Sequence, residues 1–367
     1  MAFTFGKTAK PPTTEVAPKG EVRIAGWLLL LTFLVFVLIL WGGVVRLSGS
    51  GLSIPDWPLI NGGLLPPASE AEWQAVFESY QKAASPSFVE VPMAEFKKMF
   101  WIEYGHRFLA ALVGIVFLAV FVRGFKNIFL RRQVGAHLIF AAMLLIGQAI
   151  LGGVVVKEDL KGELVAAHLG AAFWFFGVLL WTTLKLSRID GAILERSGRK
   201  GLVILAWTAT LFVFIQIVSG GLVAGSRAGL VFNTFPKMGD FWIPPRNVLW
   251  SSVYQPAVNN LFQNQILIQF FHRWWAFIAA GFVIWAHVFA LKVSATPRAR
   301  LAARGTVVFV VLQIILGIGN LMMKAPFGMS LAHLATGLTL FALMVILTYE
   351  IRFRYETQPP RYETQPA

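Results

Sequence analysis

The sequence predicts an all-α integral membrane protein whose eight transmembrane helices form two tandem, pseudo-symmetric four-helix bundles. Three observations lead to this fold class: an apolar composition, eight apolar runs of spanning length, and an internal repeat. Of the 367 residues, 57% are hydrophobic and only 14% are charged, which is too little polar side chain to cover a soluble globule. The chain has no cysteine, so neither disulfide bonds nor thiolate metal ligands can contribute.

The apolar runs predict eight helices, since a bilayer core needs about 20 helical residues. One run, Phe108–Val122, reaches this length once residues 103–107 are added. The first run is too long for the apolar core of a signal peptide and lacks a cleavage pattern, so we expect it to remain as a span. The other seven runs are Ile24–Val45, Val134–Val156, Leu164–Leu184, Gly201–Gly225, Trp274–Leu291, Gly305–Met323 and Ala325–Tyr349.

The basic residues predict how the chain crosses the membrane. Although the formal net charge is +14, 20 of the 32 lysines and arginines fall in the two terminal segments and in every second loop. By the positive-inside rule, both termini lie in the cytoplasm. The charge therefore reflects topology, and we expect membrane lipid but no nucleic acid as a partner. A bacterial cytoplasmic membrane is the expected location.

An internal repeat divides the chain in two. When residues 42–67 are laid over residues 220–245, nine of 26 positions are identical without a gap. Slightly smaller offsets align further segments, including His106 with His272 and Gln148 with Gln313. Each half contains an even number of spans, so the repeats run parallel about an axis near the membrane normal. We predict an N-terminal half at residues 23–190 and a C-terminal half at residues 191–352.

The segments outside these halves are predicted to be tails. Residues 1–22 read as a disordered cytoplasmic tail. Residues 353–367 contain the hexapeptide RYETQP twice, which indicates a tag or a duplication. Between the first two spans, Ser69 and Glu72 form a capping-box pattern, and apolar residues follow at helical spacing. This segment is predicted to be an amphipathic helix, either on the outer membrane surface or packed on the helix bundle.

Four histidines occupy equivalent positions in the repeat. They lie near the outer beginnings of the four even-numbered spans, whereas His137 and His287 are unmatched and are read as structural. Buried imidazoles in a membrane need polar or metal partners. Facing pairs of histidines are a common way to hold both axial positions of a haem iron. The predicted haem ligands are His106 with His168, and His272 with His333.

Zinc fits this pattern less well, because two histidines without cysteines or clustered carboxylates do not complete a tetrahedral site. A proton relay stays open but does not predict symmetric pairs. The Gly-rich ends of the first span in each half favour close helix packing, with approach to a flat ligand as the alternative.

The residues beside the histidines differ between the halves. Arg107 and Arg273 follow a histidine and could bind haem propionates, although snorkelling to the interface explains them nearly as well. Glu103 lies three residues before His106, hence on one helix face with it, and its repeat partner is Gln269. This difference suggests chemistry in one half and electron transfer in the other, with a plain surface glutamate as the alternative.

Several segments resemble the haem A synthase family. They are GLSIPDWPLINGGLLPP, SEAEWQAVFESYQ, EFKKMFWIEYGHRFL, AGLVFNTFPKMG and HRWWAF, in this order across residues 22–350. The resemblance implies an oxidoreductase that converts the C8 methyl of haem O, through a hydroxymethyl and a hydrated aldehyde, to the formyl group of haem A for cytochrome oxidase. It also implies haem b at His272 and His333, and substrate haem at His106 and His168. From their positions beside these histidines, we expect Arg273 in the haem b site and Arg107 in the substrate site.

The resemblance assigns the catalytic role to Glu103. We expect stepwise electron removal from the methyl, water as the oxygen source, Glu103 as proton acceptor, and relay of electrons through haem b. Haem O synthase and cytochrome oxidase assembly factors are the expected protein partners, and a homo-oligomer stays open. Some family members carry cysteine pairs, so this chain resembles the cysteine-free branch. Two other functions stay open: a dihaem b-type electron-transfer cytochrome, and a haem carrier or assembly chaperone.

Overall fold

The protein is described here by a computed structural model that covers residues 19–60, 62–83, 91–187, 194–196, 200–292 and 296–355. The two predicted tails, residues 1–22 and 353–367, fall largely outside these ranges. Within them the fold is helical, apart from two three-residue strands, β1 (Leu194–Arg196) and β2 (Phe353–Tyr355), which pair antiparallel.

The predicted all-α membrane fold is confirmed: eight helices are long and apolar enough to span a bilayer. Shorter helices lie between some of these spans. In chain order the helices are α1 (Lys19–Leu47), α2 (Glu70–Ala83), α3 (Met93–Lys126), α4 (Ile128–Lys157), α5 (Gly162–Leu186), α6 (Lys200–Gly225), α7 (Arg246–Leu249), α8 (Asn260–Gln263), α9 (Gln265–Lys292), α10 (Pro297–Met322) and α11 (Phe327–Arg352). The short ones are α2, α7 and α8. The chain is an integral membrane protein.

Side-chain caps and proline set several helix starts. Asn127 lies between α3 and α4. Its side chain accepts hydrogen bonds from the backbone N–H groups of Phe129 and Leu130 at the start of α4. Thr296 caps α10 in the same way, and Pro297 follows at the first helical position. These residues satisfy N–H groups that have no partner inside the helix. Both helices therefore begin at residues that the sequence specifies locally.

The helix contacts follow the internal repeat. Among the first four spans, α1 contacts α3, α3 contacts α4, α4 contacts α5, and α5 returns to α1. The last four spans form the same closed ring: α6 with α9, α9 with α10, α10 with α11, and α11 with α6. Helices α5, α6, α11 and α1 join the two rings. These contacts agree with two tandem bundles, and the domain boundaries stay a prediction.

Small residues bring the two rings together where α5 crosses α6. A Cβ atom added to Gly225 would lie 2.6 Å from the Cα atom of Gly162, and one added to Gly221 would lie 3.0 Å from the Cα atom of Ala166. The α5 residues are four apart, which is the small-xxx-small spacing that lets helix backbones approach closely in membranes. Arg46, at the end of α1, adds a hydrogen bond of 2.7 Å to the carbonyl oxygen of Ala224.

Helix α2 has the predicted capping box. The N–H of Glu72 donates to the Ser69 hydroxyl, and the N–H of Ser69 donates to the Glu72 carboxylate. The apolar stripe of α2 is buried against Phe96 and Phe100 at the start of α3, so α2 packs on the protein, as the second of the two predicted placements proposed. Trp73 makes an edge-on contact with the Phe100 ring at 4.9 Å between centroids.

Candidate functional site

All four repeat-matched histidines lie at one end of the molecule. This is the end where α1, α4, α6 and α10 finish and where α3, α5, α9 and α11 carry the imidazoles. Each histidine faces a glycine of the neighbouring helix. A Cβ atom added to that glycine would lie 3.0 to 3.3 Å from the nearest imidazole atom. The facing pairs are Gly42 with His106, Gly152 with His168, Gly220 with His272, and Gly317 with His333.

The glycine pairs give a physical reason for part of the repeat. Gly42 matches Gly220 in the aligned halves, and Gly152 matches Gly317. Any larger side chain would press against an imidazole ring, because added Cβ contacts below about 3.4 Å are tighter than normal packing allows. Gly42 and Gly220 belong to the two Gly-rich segments for which close packing was predicted, and each packs closely against a histidine. Approach of these segments to a flat ligand stays a prediction.

In each ring of four helices, the two histidines lie on helices that are across the ring from each other, α3 and α5 in one half and α9 and α11 in the other. This arrangement agrees with the predicted pairs, and their role as ligands of one group stays a prediction. The Nδ1 atoms of His168 and His333 are buried and have no hydrogen-bond partner among the described residues. Buried polar atoms normally have a hydrogen-bond partner. These two atoms therefore mark places where a further polar group or a ligand would fit. Among the described residues, no three potential ligands of the His, Asp and Glu types cluster.

The C-terminal pair has polar neighbours that the sequence reading did not identify. The Gln216 amide lies 3.1 Å from His272 Nδ1, and the Ser219 hydroxyl lies 2.8 Å from the same atom. Gln313 lies 3.2 Å from His333 Nε2, and its carbonyl accepts a short hydrogen bond from Thr336. The repeat aligns Gln313 with Gln148. This match was the feature of the sequence that could have identified Gln313 as a site residue.

The N-terminal pair is surrounded differently. The positions that match Gln216 and Ser219 are Leu38 and Trp41. Leucine has no polar side-chain group, and the indole N–H of Trp41 donates to the carbonyl oxygen of Ile102 at 2.9 Å. Gln148 donates to the backbone carbonyl of His168 at 2.9 Å. The imidazole of His272 is therefore fixed by side-chain hydrogen bonds from α6, whereas α1 offers His106 none at these positions.

Glu103 is buried, with 4% of its surface exposed, so the alternative of a plain surface glutamate is wrong. One carboxylate oxygen accepts from the Ser53 hydroxyl at 2.8 Å and from the Ile54 N–H at 3.0 Å. The other accepts from Arg107 at 2.7 Å. Three donors thus hold Glu103 against the chain segment that follows α1.

Arg107 completes this arrangement. Its guanidinium also donates to the carbonyl oxygens of Ile54 and Asp56, both at 2.6 Å. Arg273 makes the repeat-matched contacts: it donates to the carbonyl oxygens of Phe232 and Thr234 and to the side-chain oxygen of Gln269. Both arginines therefore bind backbone carbonyls through the guanidinium nitrogens that were predicted to reach propionates.

The two unmatched histidines lie away from these pairs. His287 Nδ1 lies 2.7 Å from the Ala303 carbonyl oxygen, which ties α9 to α10 and agrees with the structural role predicted for it. His137 lies one turn from Gln133, whose carbonyl accepts from Lys185 at 2.6 Å. Neither belongs to the site.

Comparison with known proteins identifies the family. A family model described as "Cytochrome oxidase assembly protein" (COX15-CtaA) matches residues 25–345. A heme A synthase of Nitrosospira multiformis is 36% identical, over 93% of this chain and 97% of the relative. One of Paracoccus denitrificans is 34% identical over 92% and 90% of the two chains, and Heme A synthase COX15 of Bos taurus is 31% identical over 93% and 85%. The resemblance predicted from the sequence is confirmed, and the chain belongs to the COX15-CtaA family of cytochrome oxidase assembly proteins.

Proposed function

We propose that this protein is a haem A synthase that oxidises the C8 methyl of haem O to a formyl group. The observation that carries the proposal is the pair of facing histidines in each half, in a chain whose curated relatives bear that name. The conversion proceeds through a hydroxymethyl and a hydrated aldehyde. Each of its two oxidations consumes one water and releases two electrons and two protons, and loss of water from the hydrated aldehyde gives the formyl group.

The two histidine pairs are proposed as haem ligands. His272 and His333 hold haem b, and His106 and His168 hold the substrate haem. Haem b in the C-terminal half supplies one-electron redox chemistry. The glycines beside the imidazoles and the buried Nδ1 atoms of His168 and His333 support this assignment, because the glycines leave room for the rings and these two atoms have no hydrogen-bond partner among the described residues.

The assignment of cofactor and substrate to the halves is supported by the surroundings of the imidazoles. Gln216 and Ser219 fix the ring of His272 through hydrogen bonds, which suits a permanently bound group. Leu38 and Trp41 occupy the matching positions in the N-terminal half. A half without such bonds can exchange its ligand at lower cost, as a substrate site must.

Glu103 is proposed to accept a proton released during the oxidation. A buried carboxylate next to a substrate is suited to this role. In the structure its oxygens already accept from Ser53, Ile54 and Arg107, so it can take up a proton only if one of these hydrogen bonds is released. Arg107 and Arg273 already donate to backbone carbonyl oxygens. Only the N–H groups that these contacts do not use are available to a propionate.

Acid-acetone extraction of the purified protein tests the function. The released porphyrins would be identified by chromatography and mass spectrometry after expression in cells that make haem O. Haem b together with haem O, its hydroxymethyl derivative or haem A is the expected result. Haem b alone would favour the electron-transfer cytochrome, which would use the same four histidines. Release of unmodified haem O on mixing with an acceptor protein would favour the carrier.

The location and partners complete the proposal. Both termini are placed in the cytoplasm by the charge distribution, so the histidine pairs lie toward the outer side of a bacterial cytoplasmic membrane. Haem O synthase and cytochrome oxidase assembly factors are the proposed partners. Labelling of cysteines introduced singly near residues 127 and 240 with an impermeant reagent would test the orientation, since only the latter should react from outside.

A further inference from the structure

The segment after the first helix of each half crosses the end of its bundle beside the histidines. We define residues 53–57 as the N-terminal strap and residues 231–235 as the C-terminal strap; they match in the same gap-free alignment that relates α1 to α6. Each begins directly after a short 3₁₀ turn that follows the helix, Ser50–Leu52 and Ala228–Leu230. The straps thus leave α1 and α6 at equivalent points.

Each strap is bound to the helix that carries the first histidine of its half. Arg107 and Arg273 donate to carbonyl oxygens at the same two strap positions, Ile54 and Asp56 in one half and Phe232 and Thr234 in the other. These contacts recur in both halves of the repeat. The common element is therefore an arginine that follows the histidine and holds the strap.

The residue four positions before each arginine binds the strap with opposite hydrogen-bond polarity. Glu103 accepts from the Ser53 hydroxyl and the Ile54 N–H. Gln269 donates to the carbonyl oxygen of Phe232 in the strap at 3.3 Å and to that of Ala228, in the turn before the strap, at 2.7 Å. A carboxylate can only accept and an amide N–H₂ can only donate. The difference between glutamate and glutamine thus follows from what each strap presents.

The other side of each strap is held differently in the two halves. The Asn233 amide of the C-terminal strap donates to the carbonyl oxygen of Leu321 in α10 at 2.9 Å. Its counterpart is Pro55, which has no side-chain donor. The N-terminal strap contacts α4 through Trp57. A Cβ atom added to Gly153 of α4 would lie 2.6 Å from the Trp57 indole, and the preceding residue, Gly152, is the glycine that faces His168. The C-terminal strap is thus bound to α10 by a hydrogen bond, and the N-terminal strap contacts α4 by packing of the Trp57 ring.

We propose that the straps hold the ligands of the two halves in place, and that Glu103, besides its proposed role as proton acceptor, positions the N-terminal strap through Ser53. The C-terminal strap, which Asn233 binds to α10 by a hydrogen bond, retains a permanent ligand. The N-terminal strap, which packs on α4 through Trp57, opens on that side to exchange its ligand. The identity of these ligands as haem b and the substrate haem rests on the proposed function. The strap contacts described above do not depend on the proposed function.

Hydrogen–deuterium exchange of the whole protein in detergent tests the anchor. Ser53→Ala removes one donor to Glu103 without altering the carboxylate, and should raise exchange at the Ile54 N–H by about tenfold or more, as expected for loss of a hydrogen bond to a charged group. Ser53→Thr keeps a hydroxyl and should restore protection. Ser187→Ala removes a hydroxyl bonded to the Thr183 carbonyl at the opposite end of α5, and serves as the matched control.

Haem transfer to apomyoglobin tests the C-terminal strap. Asn233→Ala should speed release of the resident haem by about tenfold, whereas Ser53→Ala should leave that rate unchanged. Turnover separates a specific anchor from a general loss of structure: Ser53→Ala should lower turnover, and Ser53→Thr should restore it. Unchanged Ile54 exchange in Ser53→Ala, or unchanged haem release in Asn233→Ala, would overturn the proposal. Extraction of haem b alone would remove the proposed function and leave both strap measurements interpretable.

Discussion

At the scale of single residues, the glycines that face the four histidines limit what can occupy the site. Their repeat matching was visible in the sequence, but their reason was not, because the contact joins residues on different helices. Glycine costs backbone entropy in a helix interior. Its presence at these four places is therefore explained by the space that it leaves for an imidazole ring.

Gly220 gives the clearest test. Gly220→Ala places a Cβ atom 3.1 Å from His272 Cε1, and Gln216 and Ser219 prevent the ring from moving freely. We expect overpacking to cost about 1–3 kcal/mol and the content of the proposed haem b per protein to fall several-fold. Haem b would be measured by pyridine haemochrome absorbance, and stability by thermal unfolding. Gly201→Ala, in the same helix with nothing within 4 Å, is the control; equal haem contents in the two variants would contradict this account.

Glu103 shows what the sequence could and could not predict about a site residue. Its importance followed from the repeat, because Gln269 occupies the matching place. Its surroundings did not follow, since the Ser53 hydroxyl lies 50 residues earlier in the chain. Spacing places a residue on a helix face, but the partners that reach this face from a loop depend on the tertiary structure.

At the scale of elements, the helices were predicted well, because uninterrupted apolar runs of about 20 residues have few alternatives in a membrane. The extension of α3 back to Met93 was not predicted. Its first turns carry Phe96 and Phe100, which α2 covers, so tertiary packing extends the helix beyond the apolar run. The strap hydrogen bonds were likewise invisible, because they are made by backbone groups of an irregular segment.

The capping box of α2 gives a prediction for this element. Ser69→Ala removes the acceptor for the Glu72 N–H and should destabilise α2 by about 1 kcal/mol, as is usual for a lost N-cap. Hydrogen exchange at residues 70–75 should rise, while the histidine site is unaffected. Ser69→Asp supplies another capping oxygen and should restore protection. If Ser69→Ala exchanged no faster than the unaltered protein, the packing of Trp73 and Tyr80 would be sufficient to hold the helix.

The polarity of the C-terminal strap gives a second prediction at this scale. Gln269→Glu replaces a donor by a carboxylate facing the carbonyl oxygens of Ala228 and Phe232, in a position only 2% exposed. One carboxylate oxygen can still accept from Arg273, but the other faces carbonyl oxygens without a donor. We expect a loss of about 2–4 kcal/mol from these buried groups, with loss of the proposed haem b. The defect should shrink at low pH, where a protonated carboxyl group can donate. Gln269→Leu is the control, since it also removes the donor but does not respond to pH.

At the scale of the whole molecule, the two halves are joined by contacts whose residues differ between the two copies of the repeat. Arg46 of α1 donates to the carbonyl oxygen of Ala224 at the end of α6, and Ala224 is its own repeat counterpart. An arginine is therefore needed in one half, and a small residue in the other. The sequence predicted two related halves, but the differences that let them fit together appeared only in the structure.

The crossing of α5 and α6 gives the prediction for the whole molecule. Gly225→Ala would place a Cβ atom 2.6 Å from the Gly162 Cα atom and 2.8 Å from its carbonyl oxygen. Both are backbone atoms, so the helices must separate, and the overpacking should cost about 3 kcal/mol or more. We expect a lower midpoint of thermal unfolding and slower electron transfer between the two haems proposed above, measured by flash reduction. Gly281→Ala, in α9 with nothing within 4 Å, should change neither. Unfolding at the normal temperature with normal electron transfer in Gly225→Ala would show that this contact does not hold the halves together.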